Sequence, residues 1–420
     1  MTNNNDKKVL NVPPLRFPEF TEEWGKCKVS DLLDIYSTNS LSWEQLEYDT
    51  NTIMNLHYGL IHVGLPTMVN LTKDKLPNIK EGNMPKNFEL CKEGDVAFAD
   101  ASEDTNEVAK TVEFFNLAGK DIVCGLHTIH GRDNKNRTVI GYKGYAFSST
   151  AFHNQIRRIA QGTKIYSISS KNFSECYIGL PSKPEQTKIA TLLRLIDERI
   201  VTQNKIIEKY ESLIQAMCDT LIGRETLQVT LSFSDFGQSY SGLSGKSAED
   251  FGDGYPFITY MNVYKNQIID STDVGLVKIN ETEQQSVVRY GDILLTLSSE
   301  TPEEVGMGAV YLGEAYPLYL NSFCFGIHIT DETKIYPPFL AYYVSSQSFR
   351  KAVYPLAQGS TRFNLQKSDF MKKKFSFPVI EKQRKIYSIL NTYSGKLNVE
   401  KQIMTLLYNQ KCYLLRLLFI

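Results

Sequence analysis

Several stretches carry reactive side chains at spacings that enzymes use, and each lacks something the chemistry requires. Gly242-Leu243-Ser244-Gly245-Lys246-Ser247 is close to a P-loop, whose backbone N–H groups cradle a phosphate. The first glycine of that pattern falls on Tyr240, and the following Ala248-Glu249-Asp250-Phe251-Gly252 is not an apolar helix. A surface loop accounts for it better. Tyr336-Pro337-Pro338-Phe339 approaches the Asp/Asn-Pro-Pro-Tyr/Phe loop of amino-group methylation, where the first side chain accepts a hydrogen bond from the target amine. Tyr336 cannot take that geometry, and no glycine-rich strand–loop–helix precedes it. A turn that starts a helix, with proline at its first position, fits instead. Glu332-Thr333-Lys334 has a nuclease-like spacing that is common by chance. His127 and His130 are three apart on a strand or loop, and satisfied structural histidines are expected there. The seven cysteines form no Cys-x-x-Cys pair. No catalytic residue, no bound cofactor and no metal site is expected in this chain.

What remains is binding chemistry. Polar, glycine-flanked loops hold Arg132 and Arg137; Gln161, Thr163 and Lys164; Lys246; and Gln358, Ser360, Thr361 and Arg362. Gln and Arg pair bidentately with adenine and guanine edges, and small residues let backbone approach phosphate. Each loop taken alone also fits a solvated turn.

Behind these loops stand two long helical patterns. From Pro184 to Ile222, steps of three and four link Leu193, Ile196, Ile200, Gln203, Ile207, Tyr210, Ile214, Met217 and Leu221. That alternation marks a coiled-coil seam. Lys188, Glu198, Lys205, Glu208 and Lys209 lie off it. About 38 residues of helix would run roughly 57 Å, beyond an ordinary core helix. At a constant offset of 197 the pattern returns as Leu390, Tyr393, Leu397, Glu400, Met404, Leu407, Lys411, Leu414 and Leu418. Gln186, Lys188 and Ile189 return as Gln383, Lys385 and Ile386, Gly94-Asp95 as Gly291-Asp292, and Gln161-Gly162-Thr163 as Gln358-Gly359-Ser360. Near the start the offset drifts, and Met54-Asn55 pairs best with Met261-Asn262.

The chain is therefore a duplicated module, a globular head followed by a long helix. The expected fold is α+β: two α/β heads joined by two long antiparallel helices with pseudo-two-fold symmetry. Residues 1–14 read as a flexible tail, 15–182 as head one, 183–222 as the central helix, 223–379 as head two and 380–420 as the C-terminal helix. Antiparallel pairing follows from reach. Head two is tethered to the end of one helix and the start of the next, and a compact domain cannot span ~57 Å between its termini. In head one, Val29–Ile35 is a short strand or helix, Ile53–Ile61 a strand and turn, Val96–Ala99 a buried strand, Ala151–Arg158 a short helix and Phe173–Leu180 the last strand. Of 420 residues, 42% are apolar and 22% charged, and the net charge is −1. Any basic surface must then be local. An unpatterned cysteine set suits a reducing cytoplasm, and no apolar run approaches the ~20 residues of a membrane span.

In this order the motifs resemble the DNA-specificity subunit of type I restriction–modification systems. The resemblance rests on Pro14-Leu15-Arg16-Phe17-Pro18-Glu19-Phe20, the duplicated Gly-Asp strands, the Gln-Gly-Thr/Ser loops and the Leu-Pro-x-x-x-x-Gln-x-Lys-Ile helix openings, with Phe377 replacing the leucine in the second copy. It covers residue 14 to the end. It implies two target-recognition domains, each reading half of a split site in double-stranded DNA, and helices that set the spacing and dock two methyltransferase subunits. It implies restriction subunits in the full complex, with S-adenosylmethionine, ATP and Mg on partner subunits. The polar seam residues Glu400 and Lys411 depart from the pattern. The rival reading is a non-catalytic helical scaffold displaying two protein-binding heads.

Overall fold

Helix one runs Lys183–Gly223 and helix two Ile380–Leu417 in the computed structural model, which describes residues 11–314 and 316–420. Pro184 stands in the first turn of helix one, where a missing N–H costs nothing, and Glu185 favours the positive end of the helix dipole. The seam is legible in the burial. Leu193, Ile196, Ile200, Gln203 and Ile214 are buried, and Ile207, Tyr210, Met217 and Leu221 half-buried. Leu390, Met404, Leu414 and Leu418 are buried, and Tyr393, Leu397, Glu400, Leu407 and Lys411 half-buried. Lys188, Glu198, Lys205, Glu208 and Lys209 are exposed. The final residues correct the expected helix end, because Leu418–Ile420 leave the helix. Leu418 and Phe419 are buried, with Phe419 6.0 Å from the Tyr142 ring.

The chain forms two compact units. Unit one runs to Asn204 and takes in Gln402–Ile420; unit two is Lys205–Lys401. Each unit thus combines one head with the beginning of one helix and the end of the other. In unit two, Glu211 pairs with Lys401 at 2.7 Å and Glu225 with Lys382 at 3.1 Å, so advance along helix one is retreat along helix two. In unit one, Lys411 reaches Asp197 at 2.6 Å, and Asp197 also accepts from the Tyr145 hydroxyl at 2.8 Å. The polar seam residue therefore has a designated partner.

Head one holds a five-stranded sheet in the order Asp34–Tyr36, Thr128–Arg132, Val96–Ala99, Thr111–Asn116, Met68–Asn70. A four-stranded sheet follows the order Ile122–Cys124, Met54–Leu56, Asn78–Ile79, Leu46–Glu47. Head two repeats the antiparallel centre with Cys324–Ile329, Ile293–Thr296 and Gly308–Val310, and extends it with Gly237–Ser241. Val96–Ala99 and Ile293–Thr296 are buried throughout, each entered by a glycine at positive φ, Gly94 at 85° and Gly291 at 87°. Val29–Leu32 is a helix and Asp34–Tyr36 a strand, so both alternatives for that stretch occur in succession. The strand Met54–Leu56 leads into a helix, Tyr58–His62, and Phe173 sits in a helix before the strand Tyr177–Leu180. Most of the expected tail lies outside the described residues. Residues 11–14 are not loose, because Asn11 exchanges hydrogen bonds with the Trp24 backbone and Pro13 is buried.

The junction of head and helix is built the same way twice. Gln186, 1% exposed, accepts from the Val139 N–H at 2.9 Å and donates to the carbonyls of Arg137 and Pro181 at 3.1 and 3.0 Å. Gln383 accepts from Tyr336 N–H at 2.8 Å and donates to the carbonyls of Lys334 and Pro378 at 3.3 and 2.8 Å. Unit one adds a fork from Arg16 to Glu185, at 2.7 and 2.8 Å. Lys188 pairs with Glu19 and lies over the Phe17 and Phe20 rings at 5.6 and 5.7 Å. Gln186→Leu or Gln383→Leu leaves three backbone groups without these partners, one of them a buried proline carbonyl. Each should destabilise its unit by about 1–3 kcal/mol, measured by urea unfolding, with hydrogen-exchange protection lost only in the unit that carries the change.

Candidate nucleic-acid interface

The Gln-Gly loops become matching hairpins. In head one, Gln161 and Ser167 exchange two backbone hydrogen bonds of 2.9 Å, and Tyr166–Ser167 pairs with Ala101–Ser102. In head two, Ala357–Gln358 pairs with Phe363–Leu365, which pairs with Ser298–Ser299. Gly162 has φ 145° and Gly359 φ 141°. A Cβ on Gly162 would sit 1.9 Å from the Ile165 carbonyl oxygen, and one on Gly359 2.1 Å from that of Arg362. Only glycine closes this turn. Gln161, Thr163 and Lys164 are exposed, as is Ile165 at 63%. Gln358, Ser360, Thr361 and Arg362 are exposed as well. The Arg362 guanidinium lies 5.8 Å above the exposed Phe323 ring. Neither Lys164 nor Arg362 has a carboxylate partner among the described residues, so both charges remain available to a ligand.

Other cations proposed from sequence have different employment. Arg132 ends a fully buried strand and is itself 7% exposed. It donates to Asp95 at 2.8–3.1 Å, to Glu89 at 2.6 Å and to the Leu90 carbonyl at 2.7 Å. Burial works against this guanidinium, but the hydrogen bonds to Asp95 and Glu89 outweigh it and hold its pKa above the ordinary value. Arg132 is thus a core residue and leaves the set of loop contacts. Lys246 also leaves it. Its side chain is 4% exposed and bound to Glu283 at 2.5 Å. Arg137 donates to the Cys27 sulfur at 3.1 Å, and its carbonyl is held by Gln186, which places it at the helix junction.

Asp95 and Asp292, equivalent in the repeat, each hold a histidine. His130 Nε2 lies 2.7 Å from Asp95, and His328 Nδ1 2.9 Å from Asp292. Tyr240 donates to Asp292 at 2.7 Å, where head one uses Arg132. Burial pushes the Asp95 carboxyl up, but hydrogen bonds from His130 and Arg132 outweigh it and keep its pKa below the usual range. Tyr336-Pro337-Pro338-Phe339 does begin a helix, with Pro337 at its first position.

A ring surface in head one escaped sequence reasoning. Trp43, 45% exposed, lies 4.5 Å from the His57 ring, and Tyr58 contacts His57, His62 and His127 at 4.7, 6.0 and 5.2 Å. His62 Nε2 lies 2.9 Å from the carbonyl oxygen of Ala101, on the strand that carries the hairpin. These residues span 43 to 127 without a common spacing, so only the fold collects them.

A family model for the type I restriction–modification DNA specificity domain matches residues 74–212 and again 233–408. The chain belongs to that family. It is similar to the crystal structure of the type I restriction–modification S subunit from M. genitalium, with TM-score 0.51 and 17% identity over 97% of this chain and 99% of that one. A structure described as bearing on complex assembly and conformational transition of the type I R-M system gives TM-score 0.59 and 15% identity, over 93% of this chain and 96% of the other. At these identities the likeness shows a shared fold. No curated protein matches the chain. Among the described residues, no helix of this specificity chain is long and apolar enough to cross a membrane.

The two arginines should separate cleanly. Arg132→Ala strands a buried carboxylate and should cost head one about 3–5 kcal/mol. Arg362→Ala removes an exposed side chain and should stay within about 0.5 kcal/mol. Urea denaturation of the two variants makes the comparison.

Proposed function

We propose that this specificity chain reads a bipartite site in double-stranded DNA, with each head recognising one half through its Gln-Gly hairpin and the surface around it. The observation that carries this reading is the duplication of one glycine-dependent hairpin. Each copy presents an unpaired cation near its tip, Lys164 in one and Arg362 in the other, on an otherwise near-neutral chain of net charge −1. The glycines keep the turn constant, while the residues after them differ between heads. Thr163, Lys164 and Ile165 stand where head two has Ser360, Thr361 and Arg362. Arg362 could fork onto a guanine edge, and Gln161 and Gln358 onto adenine.

The reading extends to the helices, which would set the unread gap between half-sites and dock two methyltransferase subunits, one per repeat. Restriction subunits would join in the full complex. S-adenosylmethionine, ATP and Mg would be bound by those partners in the cytoplasm. The chain alone would neither methylate nor cleave DNA.

Site selection from a randomised DNA library with the assembled complex tests the assignment. Gly162→Ala and Gly359→Ala cannot keep their turns. Each should weaken base preference in one half-site only, and the affected halves should differ. Arg362→Ala should relax one position by about 1–3 kcal/mol, or roughly 5- to 150-fold. Affinity should also fall steeply with salt. A flat salt dependence with unaltered selection in all three variants would favour the protein-binding scaffold.

A further inference from the structure

Three side chains from separate stretches of head one meet in its interior. Cys91, Cys124 and His130 are 5%, 2% and 0% exposed. One ligand atom from each lies within 4.8 Å of the others. The two sulfurs are 3.6 Å apart. Zinc–thiolate bonds are about 2.3 Å long, so two sulfurs on one tetrahedral zinc stand about 3.8 Å apart. The sulfurs are thus already at the spacing a shared cation would impose.

The imidazole supplies the second, independent observation. His130 Nε2 is engaged by Asp95 at 2.7 Å, while Nδ1 is buried and without a hydrogen-bond partner. A carboxylate behind one ring nitrogen is the usual support of a metal-bound histidine, because it fixes the tautomer and leaves the other lone pair free. Asp95 holds that position, fixed in turn by the Lys92 N–H at 2.9 Å and by Arg132. Among the buried groups, two thiolates and Asp95 supply three negative charges and a divalent cation with Arg132 three positive ones, while the half-exposed Glu89 adds a fourth negative charge toward solvent. Glu89 completes the shell by binding the outer side of Arg132.

Head two supplies a contrast. It keeps the Asp292–His328 pair but engages His328 through Nδ1, stacks that ring on Tyr240 at 4.2 Å, and has Val288 at the repeat position of Cys91. The Asp–His pair therefore belongs to the common framework, and the thiols are an addition specific to head one.

We propose that Cys91 Sγ, Cys124 Sγ and His130 Nδ1 form a structural site for a thiophilic d10 cation of the zinc class, buried in head one. Cys91 precedes the Gly94-Asp95 turn, Cys124 lies on the four-stranded sheet and His130 on the five-stranded sheet. A bound ion would tie the two sheets to the turn that carries Asp95. Because the site is closed, the ion would enter during folding, with loss of the thiol protons to solvent. Nothing in this proposal depends on DNA recognition.

The test uses the full chain, produced with zinc in the medium and freed of loose metal by gel filtration. Elemental analysis should find about one zinc per chain. Refolding in Co2+ should give a thiolate-to-cobalt charge-transfer band. Cys91→Ser and Cys124→Ser should each abolish both signals, while Cys324→Ser, a buried cysteine of head two, should retain them. Wild-type chain with neither zinc nor a cobalt–thiolate band overturns the proposal without reliance on any variant. Full zinc content in Cys124→Ser, or mass spectrometry showing a metal-free Cys91–Cys124 disulfide, overturns it as well.

Discussion

One side-chain amide at the base of each long helix holds the architecture together. Gln186 and Gln383 each gather three backbone groups: one N–H from the loop before a head helix, one carbonyl from the same loop, and the buried carbonyl of the proline at the end of the last strand. An unpaired buried amide or carbonyl is costly in a low-dielectric interior. The glutamine removes that cost at the proline carbonyl, holds two half-buried groups of the loop, and in doing so fixes how the helix leaves its head. The arrangement recurs at the same offset in both units, so the loops of a head can change while the seating of its helix does not.

The same division runs through the interior. The Gly-Asp turn, the buried strand behind it and the acid–histidine pair are common to both heads. The third partner of the acid is not, being Arg132 in one and Tyr240 in the other. Along the helices, the repeat position of Lys411 is Ile214, and that of its partner Asp197 is Ser394. A lysine–aspartate pair in unit one thus stands where unit two has an isoleucine and a serine. Polar seam positions of this kind specify which partners pair and in what register.

Much of this was legible in the sequence because it repeats or has a period. The three-four alternation located both seams, the constant offset exposed the duplication, and the limited reach of a compact head required antiparallel helices. The hairpins were legible as duplicated Gln-Gly turns. What could not be read depends on partners distant in sequence. Arg132 lies in a polar, glycine-flanked stretch, and nothing local shows that Asp95, 37 residues earlier, will take it into the core. Lys246 looks like a loop cation until Glu283 covers it. Lys411 looks like a flaw in the seam until Asp197 faces it. Cys91, Cys124 and His130 share no motif spacing, and only the packing of the two sheets and the Gly-Asp turn brings them together.

In the proposed function, helices seated on their heads through Gln186 and Gln383 would determine the distance between the half-sites. One heptad inserted into both helices, near Gln203 and near Glu400, preserves the seam and lengthens each helix by about 10 Å. With DNA rising about 3.4 Å per base pair, that equals roughly three base pairs, accompanied by about a third of a turn of twist. Binding-site selection from a randomised-spacer library, with the assembled complex, should return the same half-sites separated by a gap about two to four base pairs longer. A folded double-insertion chain that still selects the original gap would contradict the account.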